Sequence, residues 1–163
     1  MPLREAFEAV REWASIYVLH RDIAYGRIAD VQKTPDGFRV ANKDGTATLC
    51  VVKPDLRGMD AGKLAQANEN STILFTLSNG SNITEVCNRW NVLSGIKGLL
   101  VVFTNPISTT DDKWLLKPHL HDKVCDRASL LRGLNAMAEL VEPITEDALA
   151  MSAQAGMPDR GRG

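Results

Sequence analysis

The sequence predicts one α/β domain: a mixed central sheet, antiparallel in its N-terminal part and parallel further on, flanked by helices. An amphipathic stretch over residues 3–20 is followed by three period-two segments within residues 26–53, separated by "TPDG" and "NKDG". Two apolar runs, "STILFTL" and "LLVVFT", then enclose a helix-like segment long enough for a right-handed parallel crossover. The length of 163 residues suits one sizeable core and is too short for two ordinary domains. The expected division is a domain over 1–154 and a flexible tail, "AGMPDRGRG", over 155–163, which has too little apolar surface to pack.

In residues 3–20, Leu3, Phe7, Val10, Trp13 or Ala14, and Tyr17 recur at steps of three and four, which predicts a helix with one face on the core, stopping near Gly26. "RIADVQK", "GFRVANK" and "TATLCVVK" read as strands, and the Asp-Gly pairs between them favour tight hairpins, so the simplest product is a three-stranded meander. "FRVAN" alternates and should be half exposed; "LCVV" does not, and should be covered on both faces.

Residues 55–70 carry two glycines and mixed polarity, consistent with a short helix between loops. "STILFTLSN" is a strand, and "SNITEVCNRWNVLSGIKG" a helix that Ser81 or Asn82 would cap, with Glu85 in capping-box position if Asn82 is the cap. "LLVVFTNP" reads as a parallel strand buried between helices. A short strand "WLLKPH" follows, then a helix over 127–141 with Leu130, Leu134, Met137 and Leu140 or Val141 inward, and a final short helix at 145–153.

Hydrophobic residues make up 44% and charged residues 24%, a balance that excludes a disordered or fibrous chain. The formal charge of −1 excludes an overall positive field for nucleic acid or anionic lipid, leaving only a local patch. Three widely spaced cysteines, Cys50, Cys87 and Cys125, fit reduced thiols and a cytoplasmic setting better than a disulfide framework. The run from Trp13 to Leu19 is too short to cross a bilayer, so neither a signal peptide nor a membrane span is expected.

The order helix, three-stranded meander, helix, strand, helix, strand resembles the core of the PD-(D/E)XK nuclease superfamily, the restriction-endonuclease-like fold, over about residues 4–105. In that superfamily an acid near the start of the second strand and an acid-x-Lys motif on the third hold one or two divalent metals, and the lysine helps orient the attacking water. Laid on this chain, Pro35-Asp36 supplies the first acid and Val51-Val52-Lys53 the second motif, with valine where the carboxylate belongs; an alternative placement of the first acid falls on Arg39.

The resemblance implies Asp36 and Lys53 as catalytic candidates and Asp36 as metal ligand, for Mg²⁺ if the chain is active. Asp55, Asp60 and Glu85 are candidates for a relocated acid. It equally implies a scaffold that retained binding and lost cleavage: a nucleic-acid-associated or complex-forming protein, with homodimerisation common in such folds. A third expectation is a structural subunit that docks a partner by its sheet edge or C-terminal helix.

Other constellations carry simpler readings. On a strand, His119 and His121 would share a face, where Asp122 or Cys125 could complete a divalent site; the alternative is a polar lead into a helix capped by Asp126. His20 is placed to meet the carboxyl end of the first helix. Cys87 and Cys125 are expected to be buried apolar groups rather than nucleophiles. "SNGSN" lacks the spacing of a phosphate-binding loop and reads as a cap.

Candidates for contact with a nucleic-acid backbone are Arg39, Lys113, Lys117 and Lys123. Arg89, Lys97, Arg127 and Arg132 are the further cations of the second half, and Trp114 could stack beside them.

Overall fold

The computed structural model describes residues 2–67 and 69–153. The tail expected at 155–163 lies outside the described residues. A six-stranded sheet runs in chain order: β1 (Ile28–Thr34), β2 (Gly37–Asn42), β3 (Ala47–Val52), β4 (Ser71–Leu77), β5 (Leu99–Thr104) and β6 (Lys113–Leu116). The first three strands form the antiparallel meander, β3, β4 and β5 are parallel, and β6 returns antiparallel to β5.

Helix α1 (Pro2–Asp22) crosses one face of this sheet. Ala6, Val10 and Ala14 are its fully buried residues, with Phe7, Trp13 and Tyr17 only partly covered. Val10 and Ala14 of the line read in the sequence are thus at its centre, joined by Ala6, while the aromatic members flank it. Alanine lets the helix backbone approach the sheet, and the rings then wedge in from the sides: Trp13 and Tyr17 stack at 5.4 Å and both meet Phe75 edge-on. The helix ends where Gly26, at φ 59, donates its amide to the Asp22 carbonyl, a left-handed turn that glycine takes at little cost.

The other face carries α2 (Ala61–Ala65), α3 (Gly80–Asn88), α4 (Trp90–Leu93) and α6 (Leu130–Ala138), which bury Leu64, Ile83, Val86, Trp90, Leu93, Leu130 and Leu134 against β4, β5 and β6. Asn79, not Ser81 or Asn82, caps α3, accepting the Asn82 amide. Glu85 closes no capping box; it pairs with Arg89 at 3.0 Å. Along α6 Met137 is exposed, and beyond it Val141 rather than Leu140 turns inward. Residues 146–153 form α7, which buries Leu149 and Ala150 on the α1 side.

β5 is buried at every position, as its unbroken apolar run predicts. β3 departs from expectation. Cys50 and Val52 are buried toward α1, whereas Leu49 and Val51 on the opposite face are only half covered. The helix beneath that face, α2, is five residues long and leaves the apolar face of β3 as the floor of an opening.

Candidate functional site

That opening is a cleft of about 1090 Å³ at the carboxyl end of β3. In sheets with parallel strands this end is where ligands gather, because the crossovers that follow leave a crevice beyond the strand ends. Leu49, Val51, Met59 and Leu64 give it an apolar floor. Arg4, Glu8 and Arg11 from α1, Asp36 from the β1–β2 turn, Lys53, Asp55 and Asp60 from the β3–α2 connection, Lys63 from α2, and Glu146 from α7 bring charge to it.

Asp36 and Lys53 do share this cleft. Their backbones are pinned on neighbouring strands: the Asp36 carbonyl accepts the Val52 amide at 2.7 Å, and the Lys53 amide donates to the Phe75 carbonyl at 2.9 Å. Arg11 fixes the turn from the helix side, donating to the Thr34 carbonyl at 3.1 Å while its other nitrogen holds Glu8 at 2.7 Å. Val51, in the acid position of the motif, stands opposite Gly37 and packs against the core.

The segment after β3 is clamped by one buried side chain. Asn82 donates to the Pro54 carbonyl at 2.8 Å, the Leu77 carbonyl at 2.8 Å and Thr76 Oγ1 at 3.0 Å, and accepts the Leu56 amide at 2.9 Å. Both sides of its amide are used, so Lys53 projects from a rigid base.

Among the charged groups, Asp55 accepts from Arg57 at 2.9 Å, which holds its carboxyl below the usual range. Asp60 is the cap of α2. Glu85 lies away, against Arg89. Glu146 was not singled out in the sequence, since some ninety residues separate it from Lys53 along the chain. Burial, then the neighbouring Asp55 and Asp147, raise its carboxyl pKa, and Lys53 and Arg57 oppose them. Its only signal in the sequence was a position near the start of the last helix.

The remaining candidates do not converge on this cleft; Lys117 and Lys123 line a separate trough beside β6. Arg39 pairs with Glu69 at 2.9 Å on β2. Lys113 lies three strands beyond β3, 3.7 Å from Asp112 and over the Tyr17 ring. Trp114 is buried, stacked on Phe103 at 4.0 Å with its Nε1 donating to Ser78, and cannot stack on a base. Arg89 and Arg127 are held by Glu85 and Asp122.

His119 and His121 lie on a helix, α5 (Pro118–Val124), not a strand, so a spacing of two turns them to different sides. His119 Nδ1 meets the Ser94 carbonyl at 2.9 Å; His121 sits edge-on to Trp90. No group of three or more His, Cys, Asp or Glu side chains able to hold a metal occurs among the described residues. Asp126 caps the 3-10 turn at Arg127–Ser129. Cys87 is half-buried and Cys125 is exposed, which corrects the expectation of burial for the latter. Among the described residues no helix is long and apolar enough to cross a membrane.

Comparison of the chain with family models, with curated proteins and with solved structures gives no match in any of the three.

Proposed function

We propose that this chain is a binding protein on a restriction-endonuclease-like scaffold, one that engages a protein partner through the Lys53 cleft and does not hydrolyse phosphodiesters there. The scaffold reading is supported by a meander continuing into parallel strands, with α1 on one face of the sheet and the crossover helices on the other.

The observation that carries the binding reading is Val51. At the position where the motif asks for a metal-binding carboxylate, an apolar side chain floors the cleft and packs against the core. A hard divalent cation takes oxygen ligands, and valine has none. Five acidic and four basic side chains line the cleft, a mixture that suits a polar protein segment with an apolar anchor better than a phosphate backbone.

A second reading, a metal-dependent nuclease with a relocated acid, draws on Glu146 and Asp55, which enter the same cleft as Asp36 and Lys53. Plasmid nicking with Mg²⁺ or Mn²⁺ decides between the two. The binding reading expects intact plasmid from the wild type; nicking that disappears in Lys53→Ala would overturn it in favour of the nuclease. Size-exclusion mass with and without added DNA or RNA checks the partner class: a mass indifferent to both supports a protein partner, and a shift with either contradicts it.

A further inference from the structure

A second concavity, remote from Lys53, lies between β6, α5 and α6. It is an open trough of about 350 Å³ floored by Leu115, Leu120, Val124 and Met137, with Lys117 and Lys123 among its lining. These four apolar side chains are 43%, 54%, 82% and 37% exposed, an apolar surface gathered in one place rather than scattered singly. We propose that this trough docks an acidic amphipathic segment of a protein partner.

Charge complementarity selects the occupant. Every formally charged side chain lining the trough is a lysine. The acid on the same helix, Asp122, is already used: Trp90 Nε1 and Arg127 Nε both donate to it at 2.8 Å. An apolar strip edged by cations that form no ion pair among the described residues is the counterpart of a helix that carries leucines on one face and carboxylates beside them.

Two further features agree. Gly133 stands one turn before Met137 on α6, with no positive φ and nothing within 4 Å of where a Cβ would be, so no contact among the described residues accounts for a glycine there. A partner backbone approaching α6 closely would. Val124, being mostly exposed, rules out an enclosed pocket of the kind that seals in a small apolar ligand.

The test is fluorescence anisotropy with a labelled helix-forming peptide of Leu, Ala and Glu, and with its Lys-for-Glu counterpart. The acidic peptide should bind the wild type and lose about tenfold or more in affinity to Leu120→Asp, a surface change that leaves the core intact. The same loss is expected for the double variant Lys117→Glu, Lys123→Glu, to which the basic peptide should now bind. Equal binding of the two peptides, no binding of either, or an affinity for the acidic peptide unchanged in both variants would overturn the assignment. So would its displacement by an equal concentration of a free fatty-acid anion, which would make the trough an acyl site. Thermal unfolding of each variant, matching the wild type, excludes misfolding as the cause.

Discussion

Asn82 Oδ1 accepts the Leu56 amide at 2.9 Å, tying the first turn of α3 to the loop that carries Lys53. The same side chain donates to the Pro54 and Leu77 carbonyls inside the protein; its removal takes the acceptor from the Leu56 amide and leaves the Pro54 carbonyl only Thr76 Oγ1 at 3.2 Å and the Leu77 amide at 3.4 Å. Asn82→Ala should cost about 3 kcal/mol. Asn79→Ala, which removes the true cap of α3, should cost about 1 kcal/mol. Urea denaturation of both variants checks the order; a smaller loss for Asn82→Ala than for Asn79→Ala would overturn the clamping role of Asn82.

Gly37 sits where β2 leaves the turn bearing Asp36, and a Cβ built there would lie 2.1 Å from the Cys50 carbonyl oxygen. That atom is backbone and cannot swing aside. Gly37→Ala should therefore push β2 from β3 and destabilise the fold by about 2–3 kcal/mol, with amide exchange rising first at Val52, whose hydrogen bond to Asp36 closes the turn. Unchanged exchange at Val52 would contradict this.

Glu146 makes stability depend on pH with a definite sign. Burial holds its carboxyl above the ordinary 4.5, so the folded chain binds the proton more tightly than the unfolded one. Its contribution is fully present below 4.5 and is lost as pH rises through the raised folded value. Glu146→Gln, which stays neutral, should thus be more stable than the wild type at pH 7, with the difference closing below pH 4.5. Melting temperatures across that window read it directly, and a variant less stable at neutral pH would show that Lys53 outweighs burial.

The three thiols should react in order of exposure. Cys125 is exposed, Cys87 is half-buried with its thiol pushed up by burial, and Cys50 is fully buried with its thiol pushed up to about 12. An aromatic disulfide reagent should modify Cys125 first, Cys87 slowly and Cys50 only on unfolding, since the thiolate is the reacting species. Release of three equivalents at one rate from the native protein would refute the assignment of Cys50 to the core.

Most of the sheet was legible along the chain. Asp-Gly pairs set the hairpins, period-two segments set the meander, and the unbroken run of β5 announced a strand covered on both faces. Such signals are local: turn chemistry and side-chain alternation act within a few residues. Asp36 and Lys53 could be placed together for the same reason, since one hairpin joins their strands.

The failures share a cause as well. The extent of the strand "WLLKPH" is overread in the sequence, because β6 is only four residues long and Pro118 opens a helix immediately after it, which takes His119 and His121 off the strand. On the α1 inner face, Val10 and Ala14 are legible from spacing, but Ala6 is not, because ranking apolar bulk passes over a small side chain that the close sheet favours. Asn82 looked like a cap because its type favours caps. Its four partners come from β4 and the β3–α2 loop, and nothing in a linear sequence tells where those carbonyls will point.

The sequence by itself determined the order of elements, the mixed sheet and the neighbourhood of Asp36 and Lys53, all products of short-range patterning. Only the tertiary structure decided that α2 is too short to cover β3, that Glu146 returns from the end of the chain to the cleft, and that Trp114 is spent on the core. Those outcomes depend on which surfaces meet once every element competes for the same sheet faces, a global packing condition that no window of residues contains.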